Sequence, residues 1–398
     1  MNVISEHQFV RNPDPAHLPR SSSLRSSTHN TLCWAHIGDL HLTRAAEQNF
    51  HDFKEIVAQI NATMKGKIDF VVLPGDNADD GTTEQYRLIE GVLQGLEIPV
   101  FLLPGDHDFK SLSLDAFCNL SAARALPFSE VISGFRCLFL DIVSAGSGGP
   151  DFRLGARQLQ WLENQLGSAK ENGESVVVFM HAYPADLSED VEKVTSLFFD
   201  YQVLVVDMGH THYNEISNDG TTLFITTRST GQIEEGPVGY SIGCIEDTVI
   251  SWRFKPLKAA GPVVVITQPS DIRLLTRRSI QSREQRKMKV KARAFSAHEV
   301  LACEAKVDDG AWVSLTEDTR RASCWFGNVN VPDRDFELSV RAIDDAGETN
   351  VESIVVASSQ HRLVDRVIDG SDKNAVFPWH ANGLLGTQLG PNKNGRKW

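Results

Sequence analysis

Two spacings of apolar residues alternate along the chain. TLCWAHI (31–37), FVVL (70–73), VFLL (100–103), VVVFM (176–180) and VLVVDM (203–208) are short continuous apolar runs, the pattern of strands covered on both faces. Between them, NFHDFKEIVAQINATM (49–64), EQYRLIEGVLQGL (84–96) and ARQLQWLENQLGSAK (156–170) place apolar residues every three or four positions, which predicts amphipathic helices. The alternation predicts an α/β domain of layered helices and sheet. After Gly209 come strand-like pieces, TLFIT (222–226), YSIGCI (240–245) and VISWRF (249–254), so the sheet is expected to be mixed.

PLKAAGP (256–262) reads as a linker, placing a catalytic unit at 31–256. From 262 to 357, VVVIT, MKVKARAF, VLACEAKV, FELSVRAI and ESIVVA recur without helical spacing, some separated by turn signals such as DDG and DDAG. This pattern predicts a C-terminal all-β sandwich of immunoglobulin or fibronectin type, with Trp312, Trp325, Phe336 and Val340 as inward candidates. Residues 1–30, rich in Ser, Pro, Asn and Arg, read as a flexible arm. The tail at 358–398 lacks periodicity but carries Phe377, Trp379, Leu384, Leu385, Leu389 and Trp398. That much apolar surface is expected to dock onto the catalytic unit or onto a second subunit, making a homo-oligomer through this region an open alternative.

A composition of 41% apolar and 23% charged residues over 398 positions is that of a soluble globular chain with more than one core. The net charge of -13 argues against whole-surface attraction to nucleic acid or anionic membrane. One run opposes it: RLLTRRSIQSREQRKMKVKAR (273–293) holds nine basic residues and one acidic. Lacking aromatic residues for base stacking, it reads as a solvated face, with no nucleic-acid partner expected. The six cysteines (33, 118, 137, 244, 303, 324) show no CxxC spacing. Four sit in apolar or strand-like stretches and read as buried free thiols, while Cys303 and Cys324 are the one pair weighed for a bridge. No apolar stretch reaches the length of a membrane span, and the N-terminus has no signal-type core, so the default expectation is a reduced, cytoplasmic location.

The chemistry sits where apolar runs end. WAHI leads into Gly38-Asp39-Leu40-His41, FVVLP into Gly75-Asp76-Asn77, and VFLLP into Gly105-Asp106-His107-Asp108. VVVFM leads into His181, and VVDM into Gly209-His210-Thr211-His212. Open α/β sheets form sites beyond the carboxyl ends of their strands. In an extended segment residues i and i+2 share a side, so Asp39 with His41, and His210 with His212, are expected to present paired ligands. The preceding glycines are expected to permit sharp turns. Carboxylate and imidazole without thiolate suits Mn, Fe, Zn, Co or Ni. Five of seven histidines in the catalytic unit fall in these motifs, leaving His36 and His51 as structural.

Taken in this order, the motifs resemble the calcineurin-like metallophosphoesterase superfamily and, within it, the bacterial cyclic-nucleotide and glycerophosphodiester phosphodiesterase branch. The resemblance covers about residues 31–255 and implies a four-layer α/β/β/α sandwich around two metal ions. It further implies that Asp39, His41 and His212 hold one ion, that Asp106, His181 and His210 hold the other, and that Asp76 bridges them. His107 would face the substrate with Asp108 behind it as orienting carboxylate. The chain departs from the pattern once, reading GDHD where the family has GNHD, so Asp106 adds a negative charge that should shift metal preference. The implied activity is hydrolysis of small or cyclic-nucleotide phosphodiesters by a metal-bridging hydroxide. A phosphomonoesterase on the same site, or a scaffold with weak catalysis, are the rival readings.

Overall fold

The structure is a computed structural model describing residues 30–279, 287–358, 361–367, 373–376 and 378–386. The arm expected before residue 30 lies almost wholly outside the described residues, as do Phe377, Leu389 and Trp398 of the tail.

Along the chain the catalytic unit runs β1 (Thr31–His36), α1 (Gln48–Met64), β2 (Phe70–Leu73), α2 (Thr83–Leu93), β3 (Val100–Leu102), α3 (Asp115–Cys118), β4 (Phe128–Ile132), β5 (Phe135–Phe139) and α4 (Gly155–Glu171). It continues with β6 (Ser175–Phe179), α5 (Val191–Asp200), β7 (Val205–Met208), β8 (Glu215–Asn218), β9 (Leu223–Thr226), β10 (Gly239–Glu246) and β11 (Val249–Pro256). These strands form a sheet ordered β11-β10-β1-β2-β3 and a second ordered β8-β9-β7-β6-β5-β4. Both are mixed: β1, β2 and β3 pair parallel, whereas β1 with β10 and β10 with β11 are antiparallel.

Strand periodicity explains the continuous apolar runs. Leu32, Trp34, Phe70 and Val72 point between the sheets, where they meet Phe135, Phe139, Val177 and Phe179. Cys33, Ala35, Val71 and Leu73 point the other way, onto α1 and α2. On the second sheet Leu138, Val176, Val178 and Val206 face α4 and α5. Both faces of each sheet are therefore covered, giving the α/β/β/α order of layers. Phe139 stacks on Phe179 at 4.9 Å and on Phe128 at 4.5 Å, so aromatic packing joins the two sheets. Among these rings lies a polar cluster: Trp34 Nε1 donates to Asp207, whose other oxygen is 2.5 Å from His36 Nδ1.

Beyond residue 262 lie β12 (Val263–Gln268), β13 (Lys287–Phe295), β14 (Val300–Val307), β15 (Val313–Ser314), β16 (Thr316–Glu317), β17 (Cys324–Asn330), β18 (Phe336–Asp344) and β19 (Thr349–Val356). They form two four-stranded sheets, β12-β13-β17-β16 and β15-β14-β18-β19. Trp325, Phe336 and Val340 are buried between them. Trp312 is not; it is only half-buried, with Arg341 over its ring at 4.3 Å. Lying in the irregular stretch before β15, it has no strand alternation to turn it inward.

Two features correct the sequence reading, and a third, the tail, meets one of its expected alternatives by docking onto the catalytic unit. Cys33 and Cys244 are register partners across β1 and β10 and are joined as a disulfide, while Cys118, Cys137, Cys303 and Cys324 are free. A pair 211 residues apart is set by strand register and not by local spacing. The tail contributes β20 (Ala375–Val376), which pairs antiparallel with β8 and extends the second catalytic sheet, and its Trp379 and Leu384 are buried. Finally, several described members of the basic run make internal contacts, while Lys287 and Lys289 are exposed as expected. Arg273 pairs with Asp271 and lies 4.1 Å over Trp379, Lys291 pairs with Glu246, and Arg293 donates to the Lys67 carbonyl. No helix among the described residues is long and apolar enough to cross a membrane.

Candidate metal centre

The loops after β1, β2, β3, β6 and β7 converge on one buried cluster. Asp76, Asp106, His181 and His210 form one group of potential ligand atoms, and His41, Asp76 and His212 form another. Asp76 belongs to both of these, and a third group joins His41, Asp79 and His107. His181 Nε2 lies 3.3 Å from Asp106 Oδ1 and 3.5 Å from Asp76 Oδ1. His210 Nδ1 lies 3.4 Å from Asp106 Oδ1. On the other side His41 Nε2 is 3.6 Å from Asp76 Oδ2 and 2.9 Å from His212 Nε2. Asp39 is outside both groups but fully buried beside them, with its Oδ1 4.0 Å from His181 Nδ1.

The donor set fits a cation. Among the described residues nothing beyond the His210 backbone N–H serves the buried Asp39 carboxylate, and so poorly satisfied a group is costly unless it is neutralised or coordinated. Burial accordingly pushes its pKa well above the usual carboxylate range. Burial also opposes charge on Asp76, yet the imidazoles, His181 foremost, hold it down at about 2. Asp106 is likewise held low against burial, by hydrogen bonds from His181 and His210.

The backbone reaches this geometry by a different route from the extended pairs expected. His41, Asp76, His210 and His212 have φ of 42°, 51°, 68° and 66°, left-handed values that non-glycine residues adopt at a cost of order 1–3 kcal/mol each. His210 and His212 consequently fall into different ligand groups and do not present a pair to one ion. The glycines serve mainly to make room. A Cβ on Gly105 would lie 2.2 Å from Asp76 Oδ1, and one on Gly209 would lie 2.3 Å from Asp39 Oδ1.

Asp108 does not stand behind His107. Its carboxylate is fully buried and accepts from the backbone N–H groups of Asn77 (3.1 Å), Ala78 (2.9 Å) and Gly105 (2.9 Å), from Asn77 Nδ2 (3.0 Å) and from the Tyr86 hydroxyl (2.6 Å). It ties the loop after β2 to the loop after β3. Asp79 takes the orienting place: His107 Nδ1 lies 2.9 Å from its carbonyl and 3.1 Å from its Oδ1. A carbonyl only accepts, so Nδ1 carries the proton and Nε2 is left for other chemistry. Asp79 Oδ1 is also 3.3 Å from His41 Nδ1 and accepts from Gln232 Nε2 at 3.3 Å. Hydrogen bonding from His41 holds the Asp79 carboxyl well below its ordinary pKa. Asp79 was visible as an acidic residue three positions after Asp76; Gln232, in the irregular loop after β9, gave no signal.

The family model for calcineurin-like phosphoesterases matches residues 34–214. A probable cyclic nucleotide phosphodiesterase of Fibrobacter succinogenes is 25% identical over 233 residues, covering 55% of this chain and 85% of that one. A glycerophosphodiester phosphodiesterase of Enterobacter lignolyticus is 30% identical over 163 residues, covering 38% of this chain and 57% of its own. A 3',5'-cyclic adenosine monophosphate phosphodiesterase of Escherichia coli is 26% identical over 206 residues, covering 49% and 72%. With the layered fold and the strand-end cluster of Asp and His, this match shows that the chain carries a calcineurin-like, metal-dependent phosphoesterase domain.

Proposed function

We propose that the chain hydrolyses small phosphodiesters, including cyclic nucleotides, at a centre holding two transition-metal ions. The observation that carries this reading is the membership of Asp76 in both ligand groups, which makes it the natural bridge. His41 and His212, with Asp39 beside them, would hold one ion; Asp106, His181 and His210 would hold the other. Ions bound there supply Lewis-acid stabilisation of the phosphoryl group and lower the pKa of a water nucleophile.

The chain's own residues supply positioning and proton transfer. Asp79 fixes His41 through Nδ1, leaving Nε2 turned towards Asp76 and His212. The same carboxylate and its carbonyl fix His107 through Nδ1; with a second proton taken up at Nε2, the ring would donate that proton to a leaving alkoxide and return to the neutral form. Asp108 holds the two loops that carry Asp76 and Asp106 in register and has no direct part in proton transfer. A cavity of about 640 Å³ beside His41 and Asp79, lined by Arg44, Gln48, Asn49, Thr230 and Gln232, gives room for a polar alcohol part of the substrate. Residues 31–256 would carry catalysis, with 262–357 as a structural unit packed against them.

The test is a panel of mono-, di- and cyclic phosphates assayed on the purified chain reconstituted with Mn, Fe, Co, Ni or Zn. Diester or cyclic substrates should turn over fastest. Preference for monoesters would move the assignment to a phosphomonoesterase, and no turnover with any metal would favour the scaffold.

A further inference from the structure

A second cavity, of about 280 Å³, lies where β11, the loop before β10, the sandwich and the C-terminal segment meet. Arg228, Arg253, Lys255, His380 and Asn350 are among its lining residues, and no Asp or Glu is. In a chain of net charge -13 this is a local excess of positive charge.

Arg253 and Lys255 occupy alternate positions on β11 and so share one face. Among the described residues neither forms an ion pair. Lys255 is buried, and its ammonium donates only to the carbonyls of Pro256 and Ala259. Arg253 donates to the Ala381 carbonyl at 3.2 Å and to Asn382 Oδ1 at 2.8 Å. Arg228 shares its charge with Glu235 at 3.4 Å, yet its buried Nε–H has no acceptor. Burial, then the Arg253 charge, pull the Lys255 pKa down to about 8. Two guanidiniums and an ammonium line one cavity, with Glu235 paired to Arg228 and Glu352 acting on Arg253 from outside the lining; with donors to spare, they match the charge and acceptor capacity of a phosphate group.

From this geometry we infer that the cavity binds a small phosphate-bearing anion, at a site separate from the metal centre. The two sites share a loop. Arg228 begins the segment in which Ser229 Oγ donates to the Asp39 carbonyl at 2.8 Å and Gln232 Nε2 lies 3.2 Å from His41 Nδ1. The Gly383 carbonyl accepts from both Arg228 (2.9 Å) and Asn214 (3.3 Å), the latter two residues beyond His212. An anion on Arg228, Arg253 and Lys255 would therefore tighten the C-terminal segment and the loop beside the metal cluster together.

The experiment uses the full chain carrying Asp76→Ala, which disables the metal centre, and inorganic phosphate as the probe, with chloride at equal ionic strength as control. Phosphate should raise the melting temperature and bind saturably by calorimetry. Lys255→Met and Arg253→Gln, each added to Asp76→Ala, should weaken that binding about tenfold, while Arg253→Lys should retain part of it. Arg253 is half-buried, so its variants keep the test open even if Lys255→Met fails to fold. No stabilisation beyond that of chloride, or binding that survives both charge-removing variants, would overturn the inference.

Discussion

Replacing Asp108 with Asn separates a structural role from a catalytic one. One carboxylate oxygen accepts from Asn77 N, Asn77 Nδ2 and Gly105 N; the other accepts from Ala78 N and the Tyr86 hydroxyl. An amide serves one side with its carbonyl oxygen but turns an NH₂ towards the other. If that oxygen keeps the three-donor side, Tyr86 can rotate its hydroxyl to accept, but the buried Ala78 N–H is left facing another donor. An unsatisfied buried donor costs about 1–3 kcal/mol, and losing charge-assisted bonds adds to this, for a total of roughly 2–4 kcal/mol. At about 2–4 °C per kcal/mol, Asp108→Asn should melt roughly 5–15 °C below the parent chain. The assay is thermal unfolding followed by circular dichroism, paired with phosphodiester turnover and its pH profile at a temperature where both proteins are folded. Turnover should fall together with stability and metal content, because the loops of Asp76 and Asp106 loosen. An unchanged melting temperature with a hundredfold loss of turnover would refute the reasoning and return Asp108 to the place behind His107.

Asp79→Asn should behave oppositely, lowering kcat about 10–100-fold with little change in melting temperature; equal activity would show that Asp79 does not position His41 and His107. Asp106→Asn should leave the fold intact and move metal preference towards divalent pairs, and unchanged metal and pH profiles would show that Asp106 does not act as a charged ligand. Burial pushes Glu352 up to about 7 from an ordinary 4.5. The folded chain therefore binds this proton more tightly than the unfolded one, and its contribution to stability is lost as pH rises from about 4.5 to 7, by about 1.4 kcal/mol per unit. Glu352→Gln should remove that slope from pH-dependent denaturation, and an unaltered slope would assign it elsewhere. Trp379→Ala should cost about 3–5 kcal/mol, and an unchanged midpoint in urea would mean that the tail does not stabilise the catalytic unit.

The sequence is informative wherever one local rule dominates. The apolar runs at 70–73 and 176–180 had a single reading as doubly covered strands, and the residues that follow them reach the cluster. Helix α5 (Val191–Asp200) was missed because ten residues hold too few turns for a clear period. The hairpin of β4 and β5 was missed because β4 is only half-buried and does not alternate cleanly. Long-range register decides the rest. Nothing near Cys33 points to Cys244, and nothing in the tail announces that Ala375–Val376 will edge the sheet beside β8. At the site, residue identities were legible but orientation was not. Asp108 directly follows His107 and Asp79 lies three positions after Asp76, and only the loop conformations turn one towards backbone amides and the other towards His107.

The central claim is a two-ion centre bridged by Asp76, and metal stoichiometry tests it most directly. Elemental analysis of the reconstituted chain, run beside Asp76→Ala, should find two transition-metal ions per folded parent chain. In the folded variant it should find fewer than one, with phosphodiester hydrolysis lost in parallel. A parent chain that holds one ion or none under saturating metal, or an Asp76→Ala chain that keeps both, would contradict the account.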